Sequence, residues 1–209
     1  KEKAYWLGFI YADGYISNVN NYKKIGITLS YKDIDHIQKF KTCIHATYPI
    51  RTYHSNDNTY NQNCIYSKII ISNSQMYDAL LEHGVFEHKT NILQKPNIDP
   101  QYFNSFILGY FDGDGSIYVN NGRSPFYSIS IVGTDAILTF IHNVFVKNHL
   151  THKQLKLEKR KKNQTVSYIR YGGNILVSNI MHFLYCNIDC SIPLQRKYNL
   201  YLKCKQKIF

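Results

Sequence analysis

Two carboxylates in the 209-residue chain stand in matching settings: Asp13 before Gly14 in "YWLGFIYADG" and Asp114 before Gly115 in "FILGYFDGDG", 101 residues further on. Each closes an apolar run long enough for about three helical turns, and the glycine that follows is a common way to leave a helix. A carboxylate at a helix C-terminus is unfavourable, because the backbone dipole already places negative charge there, and two such groups side by side repel. A hard divalent cation relieves both effects, and carboxylate, water and phosphate oxygens are the ligands Mg²⁺ prefers. Such a centre suits in-line phosphodiester displacement, in which water is activated and both the attacking and leaving oxygens are stabilised.

Whether the acids meet depends on the helices that carry them. Gly8 and Ala12 are four residues apart, as are Gly109 and Gly113, which puts small residues on one face of each helix. Small residues let two helix backbones approach closely, so packing through these faces would bring Asp13 and Asp114 together. A lone Asp-Gly is most often just a turn. Two copies inside matching apolar helices outweigh that reading.

The repeat extends past the motif. "KIGITLSYKDIDHIQKF" (24–40) parallels "FYSISIVGTDAILTFI" (126–141), an alternating strand leading into an amphipathic helix with Asp or Thr at its start. In the first half, helices are expected over 3–13, 33–46 and 74–83, with strands over 15–19, 24–30, 50–55 and 64–72. In the second, helices are expected over 103–114, 134–147 and 174–185, with strands over 116–120, 126–132, 153–161 and 165–171. Residues 85–101 carry two prolines and join the halves, and the basic segment after Pro193 has the spacing of a closing helix. The organisation expected is an N-terminal subdomain over 1–92, a linker over 93–101 and a C-terminal subdomain over 102–209.

Lys and Arg outnumber Asp and Glu by 25 to 14, a formal net charge of +11, which points to a polyanionic partner: nucleic acid first, an anionic membrane surface second. No apolar run approaches the roughly 18 residues of a spanning helix and no signal-peptide pattern opens the chain, so no membrane role is expected. A soluble, intracellular protein is expected, with bacterial or phage cytoplasm and organelle left open. The five cysteines lack paired spacing and read as free thiols rather than a zinc site or disulfide framework. Nineteen Tyr, eleven Phe and one Trp serve a core and a nucleic-acid surface equally well.

Strand alternation proposes the binding face. If helices cover Ile25, Ile27 and Leu29, then Lys24, Thr28 and Ser30 face outward, and even steps from the motif acids add Ser17, Val19, Tyr118 and Asn120. The same logic turns Tyr66, Lys68, Ser128, Ser130, Lys156, Glu158 and Arg160 outward, with Arg51, Tyr53 and Arg123 as further candidates. Ribbons bearing such side chains fit a major groove, although a plain solvated sheet face looks similar. The run "KRKK" at 159–162 reads as a hairpin tip touching phosphates.

The segments "WLGFIYADG" and "ILGYFDGDG" resemble the two motifs of the LAGLIDADG homing endonuclease family, and with the element order around them the resemblance covers nearly the whole chain. It implies an α+β fold: a pseudo-two-fold tandem αββαββα repeat with two antiparallel four-stranded sheets forming a DNA-binding saddle and the motif helices packed at the centre. It further implies a metal-dependent endodeoxyribonuclease, acting as a monomer on a long asymmetric double-stranded site and leaving 5′-phosphate and 3′-hydroxyl ends with short 3′ overhangs. Metal would be held by Asp13, Asp114 and the backbone of Ala12 and Gly113. Mg²⁺ is the expected cofactor, Mn²⁺ a substitute, and Ca²⁺ an ion that binds without supporting cleavage. The family places a basic residue near the end of each half, beside the active-site water; by position these are Lys89 and Lys197, with Arg196 as a rival to Lys197. At the sixth motif position Asp112 corresponds to Tyr11, a difference expected to affect packing more than metal binding. Two other readings use the same scaffold: an intron maturase binding host intron RNA, and a non-cleaving DNA-binding regulator, against which the retention of both acids argues. With no intein splicing residues evident, a free-standing or intron-encoded enzyme is expected.

Overall fold

Helices α1 (Glu2–Asp13) and α4 (Phe103–Asp114) are buried on every side, from Tyr5 through Tyr11 and from Ser105 through Asp112 without a break. A helix apolar all round is stable only when surrounded, and these two supply each other's cover at the centre of the molecule. In this computed structural model, which describes residues 1–55, 64–120, 126–159 and 166–206, their backbones touch. A side chain on Gly8 would collide with the Phe106 carbonyl, and one on Gly109 with the Tyr5 carbonyl. Gly113 lies in the same way against the Ala12 side chain.

Neither motif helix ends in the left-handed glycine turn common at helix C-termini. Gly14 has φ −84° and Gly115 φ −90°, both extended, so the chain runs from helix directly into strand. Space, not dihedral freedom, requires glycine here: a Cβ on Gly14 would lie 2.8 Å from Ile10 Cα, and one on Gly115 would strike the Phe111 carbonyl and ring.

Strands β1 (Gly14–Val19), β2 (Tyr22–Ser30), β3 (Arg51–Ser55) and β4 (Cys64–Ser72) form one antiparallel sheet in the order β1-β2-β4-β3. Strands β5 (Gly115–Asn120), β6 (Phe126–Gly133), β7 (Glu158–Lys159) and β8 (Ser167–Gly172) form the second in the order β5-β6-β8-β7. The β1–β2 turn places Asn20 and Asn21 at φ 52° and 64°, the tight hairpin geometry that asparagine tolerates best after glycine. Ile16, Ile25, Ile27, Ile69 and Ile71 from the first sheet, and Tyr127, Ile129, Ile131 and Ile169 from the second, point into one continuous core with α1 and α4. Its outer cover is α2 (Ile34–Cys43), α3 (Ser74–Glu82), α5 (Asp135–Lys147), α6 (Asn174–Tyr185) and the closing helix α7 (Gln195–Gln206).

Two elements depart from the sequence reading. The helix expected over 33–46 begins with a 3-10 turn at Tyr31–Asp33 and ends at Cys43, with His45 at φ 52° beyond it. The strand expected over 153–161 is confined, among the described residues, to Glu158–Lys159. Lys153 N–H turns back to Thr151 Oγ1 at 3.2 Å, and pairing with β8 starts only at Glu158 opposite Tyr168, so Lys156 precedes the strand. Leu155 and Leu157 still lean on the core as alternation required.

The tail of each half is tied to the other half. Thr134 caps α5, accepting from Ile137 N–H at 3.3 Å, and donates its hydroxyl hydrogen to the Leu93 carbonyl at 2.5 Å. Asp33, its counterpart before α2, makes no side-chain cap bond and instead holds Arg196 Nε at 3.1 Å, while Lys39 Nζ donates to the Pro193 carbonyl at 2.9 Å. Among the described residues no helix is long and apolar enough to cross a membrane.

Candidate functional site

Close packing at Gly8 and Gly109 brings the C-terminal ends of α1 and α4 together, and with them the two motif acids. Space for the Asp13 carboxylate depends on Gly113, whose missing Cβ would sit 3.3 Å from Asp13 Oδ2. Asp114 is half-buried, and its carboxyl is pushed up to about 6 by burial and then by the Asp13 charge, against the pull of Lys89, Lys197 and the Tyr110 hydroxyl. Asp13 is exposed at its surface although protein atoms crowd its carboxyl. Burial raises it too, with Lys197, Lys89 and Arg196 opposing. Both acids therefore stand in a setting that disfavours their charge until a cation joins them.

Lys89 and Lys197 are buried, with 8% and 2% of their surface exposed. Each donates to carbonyl oxygen at the end of a motif helix, where a positive charge is favoured. Lys89 Nζ donates to the Ala12 carbonyl at 2.9 Å. Lys197 Nζ donates to the carbonyls of Phe111 (2.6 Å), Asp112 (2.8 Å) and Gly115 (2.5 Å). Burial lowers both ammonium groups, Lys197 to about 8 despite the nearby Asp112. Their influence is crossed: of the two lysines, Lys197 acts more strongly on Asp13, and Lys89 on Asp114. Arg196 is engaged on the surface with Asp33, so Lys197 is the basic residue of this half that reaches the helix ends.

The donor set fits a hard cation. Two carboxylates and the backbone carbonyls around them offer only oxygen, and among the described residues no cluster of three His, Cys, Asp or Glu side chains forms a closed site of the zinc kind. A cation held by two carboxylates keeps water and has room for phosphate oxygens. The Ala12 carbonyl already accepts from Lys89, so any role for it toward a metal uses its second lone pair.

The sixth motif positions diverge in kind. Asp112 is fully buried and accepts from Tyr5 Oη (2.7 Å), Tyr185 Oη (3.1 Å) and the Leu194 backbone N–H (2.8 Å). Tyr11 Oη donates to the His83 carbonyl at 2.6 Å.

Strand register sorts the candidate interface residues onto outer faces. In the first sheet Ser17 pairs with Lys24, Thr28 and Arg51 with Lys68, Ser30 with Tyr66, and Tyr53 with Tyr66, all on one side, with Val19 exposed at the end of β1. In the second sheet Tyr118 pairs with Ser128, and Ser130 with Arg170, while Asn120 lies opposite Phe126. Glu158 joins this face but accepts the Tyr168 hydroxyl at 2.7 Å, and Lys156 lies in the loop before it, 3.9 Å from that carboxylate. Arg123 and Arg160 lie outside the described residues. Sequence reasoning passed over Tyr15, Ile70, Ser116, Phe126 and Arg170, although "SYIRYG" alternates Tyr168 and Arg170 against Ile169 and Tyr171 as plainly as any strand here. Next to the acids the faces are unlike. On one, the Tyr15 ring covers Gly26 with Lys68 Nζ 5.4 Å from its centroid; on the other, Ser116, Tyr118, Ser128, Ser130 and Arg170 line an open cleft of ≈ 410 Å³.

A tandem αββαββα repeat, two four-stranded antiparallel sheets and two glycine-seamed central helices ending in acids define the architecture of the single-chain LAGLIDADG homing endonucleases, and this chain has that fold. No family model matches the chain, and no curated protein matches it. Solved structures do. Meganuclease I-SmaMI bound to uncleavable DNA aligns with a TM-score of 0.60 at 11% identity, covering 97% of this chain and 88% of that one. The LAGLIDADG homing endonuclease I-GzeII in complex with its DNA target gives 0.60 at 11% identity over the same shares. The LAGLIDADG meganuclease I-CpaMI bound to uncleaved DNA gives 0.60 at 11%, over 96% and 89%.

Proposed function

We propose that the protein is a sequence-specific DNA endonuclease that hydrolyses one phosphodiester in each strand of a long asymmetric duplex site, leaving 5′-phosphate and 3′-hydroxyl ends with short 3′ overhangs. The observation that carries this reading is the pairing of two charge-disfavoured carboxylates, Asp13 and Asp114, at touching helix ends flanked by two buried lysines. A non-cleaving binder has no use for carboxylates beside a phosphate backbone. The fold it shares with DNA-bound meganucleases and the net charge of +11 agree with a DNA substrate.

Asp13 and Asp114 would hold Mg²⁺, which would supply charge neutralisation and Lewis-acid stabilisation for the hydrolysis. Lys197, with three N–H groups committed to three carbonyls, is a fixed positive charge beside the developing oxyanion. Lys89 uses one N–H on Ala12 among the described residues and has two more for water or a phosphate oxygen. The outer sheet faces follow the grooves on either side, and their unlike surroundings suit two unlike half-sites acting within one monomer. Mn²⁺ substitutes for Mg²⁺, and Ca²⁺ supports binding without cleavage.

Incubation of the protein and Mg²⁺ with a plasmid library of candidate insertion sites, with and without EDTA, tests this. Linear product is expected, lost with EDTA and in Asp13→Asn and Asp114→Asn. Cutting that survives both substitutions, or no cutting of any site, sinks the proposal, and binding of host intron RNA without cleavage would put a maturase in its place.

A further inference from the structure

The two sixth motif positions hold residues that share no chemistry, and each reaches the backbone at one end of a different helix. We infer that Tyr11 and Asp112 are positioning residues that lock, by opposite hydrogen-bond polarity, the chain segments delivering Lys89 and Lys197 to the helix ends.

Tyr11 faces the last turn of α3. A helix C-terminus presents carbonyls without partners, and Tyr11 Oη, a donor, is bonded to the His83 carbonyl there. Under that hydroxyl lies Gly84 at φ +96°, where a Cβ would meet the Tyr11 oxygen. The turn continues through buried Val85 and exposed His88, the latter at φ 53°, to Lys89.

Asp112 faces the opposite kind of helix end. An N-terminus presents N–H groups, and the Asp112 carboxylate, an acceptor, takes the Leu194 N–H just before α7. The Leu194 carbonyl then accepts the Lys197 N–H at 3.0 Å, so the bond fixes the first turn of the helix that carries the lysine. Tyr5 and Tyr185 hold the rest of the carboxylate, and Tyr5 Oη is in turn 3.1 Å from His36 Nε2. The residue at each sixth position is thus matched to the helix end it meets: hydroxyl to carbonyl, carboxylate to amide. Of this inference, only the catalytic meaning of the lysines rests on the proposed nuclease function.

Site-resolved acylation of lysines in the folded full chain, read by mass spectrometry, tests the positioning without any cleavage assay. Asp112→Ala, which removes the acceptor of the Leu194 N–H, is expected to raise Lys197 labelling about fivefold, the effect of one net hydrogen bond, and to leave Lys89 protected. Tyr11→Phe, which keeps the ring and removes only the hydroxyl, is expected to do the reverse. Unchanged protection, or equal loss at both lysines, overturns the inference; should Asp112→Ala fail to fold, Tyr11→Phe decides alone by the same criterion. In cleavage, each variant is expected to leave Ca²⁺-dependent DNA affinity unchanged and to slow the same strand as Lys→Ala in its own half, so that the two accumulate nicks of opposite polarity. Equal slowing of both strands marks a merely structural role and overturns it. A wild-type protein that cuts nothing refutes the nuclease reading while the labelling result still stands.

Discussion

Replacing Gly109 with alanine tests the central seam directly. The added methyl would strike the Tyr5 backbone carbonyl, not a side chain that could swing aside, so relief requires separating α1 from α4 along their length. Overpacking against movable neighbours already costs about 1–3 kcal/mol, and a backbone obstacle belongs at the top of that range or beyond. The opposing effect, the better helix propensity of alanine, contributes only about 1 kcal/mol. A net loss of about 2 kcal/mol or more follows, which for a chain of this size lowers the melting temperature by about 4–8 °C. Thermal unfolding of Gly109→Ala beside Gly172→Ala makes the comparison, because the alanine at 172 would meet the exposed Phe126 side chain at 3.1 Å and should cost under about 1 kcal/mol. Isothermal titration of Ca²⁺ should show weaker binding in Gly109→Ala alone, since separated helices part Asp13 from Asp114. A Gly109→Ala protein melting within about 2 °C of wild type would refute backbone contact between the motif helices.

Other expectations follow from the same geometry. The Asp114 carboxyl sits near 6, above its unfolded value, so its penalty is present at pH 7 and is relieved as pH falls through 6. Burial holds His36 near 3 and acts in the opposite sense, removing stability as pH falls below about 6.5. The measurement is therefore a difference without divalent ions: Asp114→Asn should exceed wild type in urea stability at pH 7 by about 1–2 kcal/mol, and the gap should narrow as pH falls through 6 and close only near the unfolded carboxyl value of about 4; a constant gap counts against the raised carboxyl. Lys197→Ala removes the charge facing buried Asp112 and should cost about 3–5 kcal/mol, whereas Arg196→Ala, losing a surface ion pair, should cost under about 1; equal losses in denaturant titrations would contradict the assignment. Arg170→Ala should relax preference for guanine in one half-site by about 1–3 kcal/mol in a binding selection, and an unchanged profile would remove Arg170 from base reading.

The sequence showed most of what depends on repetition and period. Two glycine-spaced helices, each ending in an acid, and all eight strands of the described residues, β7 at too great a length, were visible because burial imposes periods of 3.6 and 2 that side-chain types must follow. Lys89 and Lys197 came from the family resemblance; a buried lysine carries no pattern of its own, and only the carbonyls it meets at the ends of α1 and α4 reveal its place. Glycine at 14 and 115 was read as a turn residue, but its reason lies in clashes with Ile10 and Phe111 that only three-dimensional packing shows. The shortened β7 was hidden for a related reason: alternation at Leu155 and Leu157 records which side faces the core, not whether a partner strand lies alongside. The partners of Asp112 come from residues 5, 185 and 194, too far apart in sequence for any local pattern to join them.

The crossed ties, Thr134 to Leu93 and Arg196 and Lys39 to Asp33 and Pro193, divide the molecule into parts with different freedom to change. Side chains on the outer sheet faces meet mainly neighbours on the same sheet, so they can be exchanged a few at a time, and each half can change its face on its own. Residues of the seam answer to a counterpart on the other half, and a change there must be matched across the pseudo-dyad. A chimera that joins one half of this chain to half of a relative should therefore fold when the seam and its ties are carried over as a set, however different the two reading faces become.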